Sequence, residues 1–139
     1  MVGTVYERSH RVVLGDVDTA GVVYFANVFR WHEQNLSEWL AQAFEPLGSI
    51  LARGSALPVV ACSAEFPGTI HQDDVLTLES CIAELGTSSF LFRTAMGNGP
   101  SPACVVETRH VWCERNANGG FVSKPLPGSL LAGMDHLTK

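Results

Sequence analysis

The chain has 139 residues, a net charge of −5 and a hydrophobic fraction of 46%, which suits one folded domain and argues against wholesale disorder. Nine Lys+Arg against fourteen Asp+Glu make no basic field, so nucleic acid is not an expected partner. No apolar run approaches the ~20 residues of a membrane span, and Met1 to Arg11 has no signal-peptide core, so a cytoplasmic protein is expected.

Tyr6 to Leu14 reads as a strand with partial alternation. Gly15 to Gly21 is a loop rich in Asp and Gly. A helix is expected from Tyr24 or Phe25 to about Ala43. Val28, Trp31, His32, Leu36, Trp39, Leu40 and Phe44 recur at three- and four-residue steps and give it one broad apolar stripe. Pro46 and Gly48 stop it. Leu47 to Arg53 adds a short helical turn, broken at Gly54-Ser55. Leu57 to Phe66 is a strand with Val60, Cys62, Ala64 and Phe66 on one face. Val75 to Leu85 follows, with Leu76, Leu78, Ser80 and Ile82 facing one way. Ser89 to Met96 and Ala103 to Arg115 are further strands, separated by the turn Gly97-Asn98-Gly99-Pro100. Asn116 to Gly120 turns the chain into a brief strand, Phe121 to Ser123, and Pro125 to Leu131 closes as a short helix. One long helix and a run of strands joined by short turns predict an α+β domain, with the helix covering one face of an antiparallel sheet. Open strand edges make dimerisation by edge pairing an expected way to satisfy them.

Cys62, Cys81, Cys104 and Cys113 form no CxxC pair and read as reduced, mostly buried thiols. The five histidines, His10, His32, His71, His110 and His136, lack metal-ligand spacing, so no metal is expected. His32 falls within the apolar stripe, where a satisfied core or interface histidine is the plainer reading than a catalytic one. No phosphate-binding glycine loop or Gly-x-Ser-x-Gly elbow is present, and Ser101 and Ser129 lie in turns without a visible base.

Carboxylates are left. Asp16 and Asp18 flank Val17, and Glu33 lies two turns into the helix. Asp-x-Asp before a helix reads equally well as a solvated loop with a capping carboxylate. Asp18, however, is too far ahead of the helix for a simple N-cap. It would have to fold back through the Ala20-Gly21 turn. A carboxylate beside a helix start can attack or activate water while free N–H groups hold a developing negative charge.

Gly15-Asp16-Val17-Asp18-Thr19-Ala20-Gly21-Val22-Val23-Tyr24-Phe25-Ala26-Asn27 resembles the signature of the 4-hydroxybenzoyl-CoA thioesterase family of hotdog-fold enzymes. Val59-Val60-Ala61-Cys62-Ser63-Ala64-Glu65-Phe66 and Asp73-Asp74-Val75-Leu76-Thr77-Leu78-Glu79 are similar to that family's second and third strands. Tyr6-Glu7-Arg8 and the unbroken run Ala20 to Phe25 look most like the 1,4-dihydroxy-2-naphthoyl-CoA hydrolases of phylloquinone biosynthesis. The resemblance implies a single hotdog domain over residues 1–139, its antiparallel sheet wrapped around the long helix. It implies homodimers or homotetramers with active sites at subunit interfaces, and an acyl-CoA substrate with no separate cofactor. It carries the catalytic acid onto Asp18, as nucleophile or general base. The carbonyl contact falls on the Phe25 backbone N–H, and Gly21 turns the chain between them. Asp16 and Tyr24 fall at the substrate, with Asp16 either fixing the loop or serving as a plain turn carboxylate.

The Arg/Lys cluster that grips CoA phosphates in some members is absent at Gly86-Thr87-Ser88. Scattered cations such as Arg53, Arg93, Arg109 or Lys124 would have to serve. The alternatives are a 4-hydroxybenzoyl-CoA, short-chain acyl-CoA or acyl-carrier-protein thioesterase, Glu33 as the acid, or a silent acyl-CoA-binding protein.

Overall fold

The computed structural model describes residues 3–135; His136 lies outside them. In chain order the elements are β1 (Thr4–Arg11), a single 3-10 turn (Leu14–Asp16), α1 (Asn27–Ala43), α2 (Leu47–Ala52), β2 (Ser55–Ala56), β3 (Val59–Glu65), β4 (Val75–Leu85), β5 (Ser89–Gly97), β6 (Cys104–Val111), β7 (Cys113–Arg115), β8 (Phe121–Ser123) and α3 (Gly128–Asp135). Five strands form one antiparallel sheet in the order β1-β4-β5-β6-β3, and β2-β7-β8 form a small second sheet. The α+β arrangement is the expected one, with α1 lying across the inner face of the larger sheet.

Alternation decides which side faces the helix. Leu76, Leu78, Ser80 and Ile82 of β4 are buried, as are Phe90, Phe92, Thr94 and Met96 of β5 and Cys104, Val106, Thr108 and His110 of β6. These inward side chains meet Val28, Trp31, Leu36, Trp39 and Leu40 of α1. Trp39 stacks on Phe92 at 5.7 Å between ring centroids and meets Phe90 edge-on at 6.1 Å. Burying such rings removes large apolar areas from water and anchors the helix to the sheet. α3 packs against the C-terminal end of α1 through buried Leu130 and Met134. The approach needs Gly133, where a Cβ would stand 2.6 Å from the Ala43 carbonyl oxygen.

The structure corrects several sequence expectations. The first strand stops at Arg11 rather than Leu14, because Val13 to Asp16 curl into a 3-10 turn closed by the Asp16 carboxylate. The long helix begins at Asn27, not at Tyr24 or Phe25. The Tyr24 N–H is held by the Asp16 carbonyl at 2.9 Å in an extended ladder, and Tyr24 to Ala26 form a turn. The strand expected from Ala103 to Arg115 is two strands, parted at Trp112. That indole is buried and packs edge-on against Phe44 at 6.0 Å, and beyond it the chain pairs with β2 and β8 instead of β5. Ser55, part of the expected Gly54-Ser55 break, opens β2, and the closing helix runs Gly128–Asp135.

Candidate active site

The segment from Val13 to Asn27 is stitched together by main-chain bonds. Asp18 N–H donates to the Val22 carbonyl at 2.9 Å, and Tyr24 N–H to the Asp16 carbonyl at 2.9 Å, so Asp16–Asp18 and Val22–Tyr24 run as a short antiparallel ladder. Gly21 N–H closes the turn onto the Asp18 carbonyl at 3.0 Å, and Gly21 takes φ +77° there. That left-handed conformation is one a side chain resists. The ladder is itself tied to the neighbouring segment by Val23 N–H to the Ile70 carbonyl (2.8 Å) and Gln72 N–H to the Gly21 carbonyl (3.0 Å).

The two aspartates play different structural parts. Asp16 is buried. Its carboxylate accepts from the Val13 N–H at 2.9 Å and contacts His10 Nε2 at 3.1 Å, while its carbonyl also accepts from Asn27 Nδ2 at 2.9 Å. Asp18 is exposed, and one carboxylate oxygen accepts from the Ala20 N–H at 2.8 Å. Its other oxygen meets no donor among the described residues. Two ladder steps, about 7 Å, separate Asp18 from the Asp16–Tyr24 rung just ahead of α1.

The start of α1 carries no side-chain cap and no acidic residue in its first turn. Among the described residues nothing accepts from the Phe25 or Ala26 N–H. An uncapped helix start of this kind carries partial positive charge and free donors. Tyr24 and Phe25 flank it with their rings 5.1 Å apart, 50% and 60% exposed. Asp16, Asp18, Gly21 and Tyr24 thus lie on one ladder, and the Phe25 N–H follows in the turn that leads into α1.

Arg53 and Arg93 are not brought to this place within one chain. Arg53 pairs with Glu45 at 2.9 Å and lies over the Phe44 and Trp112 rings, at the other end of α1. Arg93 pairs with Glu107 on the outer face of the sheet, and Arg109 with Glu84 at 2.9 Å. Among the described residues no three His, Cys, Asp or Glu side chains gather as a metal site.

Two cavities follow the seam between α1 and the edge strand β3. One, of about 230 Å³, lies at the helix start between Val23, Phe25, Phe66 and Ile70. The other, of about 410 Å³, lies further along α1 between Phe29, Leu36, Val59, Cys62 and Thr108, with Arg30 and Glu33 also lining it. From Phe25, just before α1, to Leu36 within it, and from Phe66, just after β3, back to Val59 within it, the two lining segments run in opposite directions, so the two cavities lie in sequence along one seam.

The floor of the larger cavity is the end of a buried polar chain that the sequence reading did not contain. Arg8 Nε donates to Asn35 Oδ1 (2.6 Å), and Asn35 Nδ2 donates to Ser80 Oγ (2.8 Å). Ser80 Oγ meets Thr94 Oγ1 (2.7 Å), which meets His32 Nδ1 (2.6 Å). His32 Nε2 meets Thr108 Oγ1 (2.7 Å), which meets His110 Nε2 (2.8 Å), and His110 Nδ1 lies 3.1 Å from the Leu57 carbonyl. Burial lowers the pKa of His110, and burial with the neighbouring His110 ring lowers that of His32 to about 3. Both imidazoles are therefore neutral near pH 7.

Neutrality fixes the direction of every bond. A carbonyl can only accept, so His110 carries its proton on Nδ1 and its Nε2 accepts from the Thr108 hydroxyl. Thr108 then accepts from His32 Nε2–H, and His32 Nδ1 accepts from Thr94. Thr94 accepts from Ser80, and Ser80 from Asn35. All protons point from Arg8 toward Leu57. The sequence signal was a polar residue at inward positions of three adjacent strands opposite His32 and Asn35.

The model of the Thioesterase-like superfamily matches residues 12–133. A 1,4-dihydroxy-2-naphthoyl-CoA hydrolase of Parasynechococcus marenigrum (strain WH8102) is 36% identical, over 81% of this chain and 91% of its own length. The 4-hydroxybenzoyl-CoA thioesterase of Pseudomonas sp. (strain CBS-3) is 37% identical, over 60% of this chain and 61% of its own. Other curated 1,4-dihydroxy-2-naphthoyl-CoA hydrolases are likewise matched over 58% to 59% of their length. In structure, a 1,4-dihydroxy-2-naphthoyl-CoA thioesterase from Synechocystis superposes with TM-score 0.82 at 23% identity, covering 94% of this chain and 95% of that one. The Dynemicin thioesterase gives 0.84 at 20% identity, covering 95% and 96%. The sheet wrapped on α1 is therefore the hotdog fold, and the extent of the sequence match establishes that the chain belongs to the Thioesterase-like superfamily.

Proposed function

We propose that this protein hydrolyses an aromatic acyl-CoA thioester, with 1,4-dihydroxy-2-naphthoyl-CoA of phylloquinone biosynthesis as its substrate. The observation that carries the reading is that one short ladder carries Asp18 and leads directly into the uncapped start of α1. One oxygen of the carboxylate is held by the Ala20 N–H, and among the described residues the other meets no donor and the Phe25 N–H no acceptor. A thioester carbonyl placed between them would have its oxygen at the helix start and its carbon facing the carboxylate. As the carbon becomes tetrahedral, charge moves onto that oxygen, where the Phe25 N–H and the helix end stabilise it. Asp18 either forms an acyl-aspartyl anhydride with loss of the CoA thiolate, later opened by water, or takes a proton from water as it attacks. Coenzyme A belongs to the substrate, and neither route needs a further cofactor. The preference for the naphthoyl group rests on the named relatives.

The test is thiol release from a panel of CoA thioesters. Hydroxynaphthoyl-CoA is expected to be cleaved with the highest kcat/KM, ahead of 4-hydroxybenzoyl-CoA and short aliphatic thioesters. Faster cleavage of aliphatic thioesters would remove the aromatic assignment, and no cleavage of any would favour a binding protein.

We also propose that the protein works as a homodimer or homotetramer in the cytoplasm. Among the described residues β3 is an edge strand with no pairing strand on its outer side, and Val59 and Val60 on it and Phe66 just after it are exposed. A second copy pairing there would cover an aggregation-prone edge and roof the α1–β3 seam. The four cysteines are unpaired thiols, as a reducing compartment favours. Sedimentation at micromolar concentration is expected to give a dimer or tetramer; a monomer would set this assembly aside.

A further inference from the structure

The larger cavity has an apolar wall and a polar floor, and the exposed Arg30 and Glu33 also line it. Its volume of about 410 Å³ falls within the roughly 300–1,000 Å³ of small-molecule sites. Phe29, Leu36 and Val59 present carbon surface, and the polar floor is made by His32, Thr108 and His110. What that floor offers a ligand follows from the fixed direction of the chain. His110 uses both ring nitrogens, on Leu57 and Thr108, and His32 uses both, on Thr94 and Thr108. The Thr108 proton is given to His110. Its oxygen accepts one proton from His32, and a hydroxyl oxygen has a second lone pair. Every donor on the floor is consumed, and one acceptor remains, at Thr108 Oγ1.

We propose that Thr108 is a specificity-determining residue that selects a hydroxyl-bearing aromatic acyl group, its remaining lone pair accepting the ring hydroxyl of a substrate seated along the α1–β3 seam. This deepens the thioesterase reading and rests on it for the identity of the group that enters the cavity. A ring hydroxyl can donate to Thr108. A ring ether or an unsubstituted ring cannot, and the ether brings an acceptor against an acceptor. The chain behind the floor holds this preference in place. For Thr108 to present its proton instead, His110 Nε2 would lose its donor, and a buried nitrogen without a partner is costly. Because Thr108 Oγ1 already accepts one bond from His32, the discrimination is modest, about tenfold.

Two readouts separate this proposal from the thioesterase reading. The first is an NMR titration of the intact protein with 2-naphthol and 2-methoxynaphthalene, which needs no turnover. Wild type is expected to bind 2-naphthol about tenfold more tightly, with shifts at Thr108 and His32. Thr108→Val should bring the two affinities together, and Thr108→Ser should restore the difference. The second is kcat/KM for hydroxynaphthoyl-CoA against methoxynaphthoyl-CoA, where the same ratio should appear. If no thioester is cleaved but the naphthol preference follows Thr108, the selectivity stands and the hydrolase reading falls. Equal wild-type binding of the two probes overturns the proposal, as does a preference that survives Thr108→Val or disappears instead in Glu33→Gln. Thr108→Val leaves His32 Nε2–H and His110 Nε2 without a partner; should it fail to fold, the wild-type probe pair and Thr108→Ser decide the matter.

Discussion

Replacing Asp18 by Asn is expected to lower kcat on hydroxynaphthoyl-CoA by about 10²–10⁴, the range for losing a positioned base, while KM changes little. The substitution isolates charge from shape. Asn retains an oxygen that can accept from the Ala20 N–H, the one side-chain bond Asp18 makes among the described residues. The main-chain bonds to Val22 and Gly21 do not involve the side chain. The loop, the helix start and the exposed Tyr24–Phe25 pair should all persist, so the melting temperature should stay near wild type. What goes is the negative oxygen that either attacks the carbonyl or receives a proton from water. An interaction made only on the way to the transition state lowers kcat and kcat/KM together. Glu33→Gln is the companion measurement. Glu33 is exposed on α1, accepts from Ser37 Oγ at 2.5 Å and lines the larger cavity. Near-normal turnover in Asp18→Asn with a loss in Glu33→Gln would move the chemistry onto the helix and remove Asp18 as the acting acid.

The site was legible in the sequence to the extent that it is local. Asp16 to Phe25 are contiguous, so their order and the Ala20-Gly21 turn could be read without knowing the fold. The division of labour between the aspartates could not. Asp16 is buried because Val13, His10 and Asn27 converge on it from three elements. No spacing rule along one strand shows that convergence. The helix begins two or three residues later than the apolar pattern predicts, for a related reason. Tyr24 and Phe25 fit the apolar pattern, but the Tyr24 N–H is drawn into the ladder with Asp16, and that competition is tertiary.

The sheet was legible where one face is buried and the other is wet. β4 has the expected bounds, Val75–Leu85, with Leu76, Leu78, Ser80 and Ile82 inside. Alternation failed at Trp112, where the chain leaves one sheet for another without any Pro or Gly to mark it. It was silent on the polar chain, which depends on register across strands. Phe92 pairs with Thr108 and Thr94 with Val106. That register sets Thr94 and Thr108 on either side of His32, and a single sequence does not carry it.

Acid should destabilise the fold through this chain. In the unfolded state His32 titrates near its ordinary value of ~6.5, whereas in the fold its pKa lies at about 3 because burial, and then the neighbouring His110, disfavour the cation. Between those values the unfolded chain binds a proton that the folded chain does not. The contribution is therefore fully present above pH 6.5 and declines as pH falls toward about 3. From pH 7 to pH 4 the loss from His32 alone is about 3 kcal/mol. That is a large part of the roughly 5–15 kcal/mol that holds a domain together. His110, lowered by burial as well, acts with the same sign. The hydrogen-bond chain gives a structural cause in addition to the electrostatic one. A protonated His32 would donate from Nδ1 to Thr94, Thr94 would turn its proton to Ser80, and Ser80, already receiving from Asn35 Nδ2, would have no acceptor for its own. One reversal thus leaves a buried hydroxyl unpaired. Carboxylates elsewhere add their own acid sensitivity, so the informative quantity is a difference between variants. Urea unfolding at pH 7 and pH 4 should show that His32→Gln, less stable than wild type at pH 7, loses about 3 kcal/mol less on acidification. Equal losses in the two proteins would mean that His32 is not held neutral between Thr94 and Thr108. The direction of the chain, and with it the single acceptor at Thr108, would then have to be abandoned.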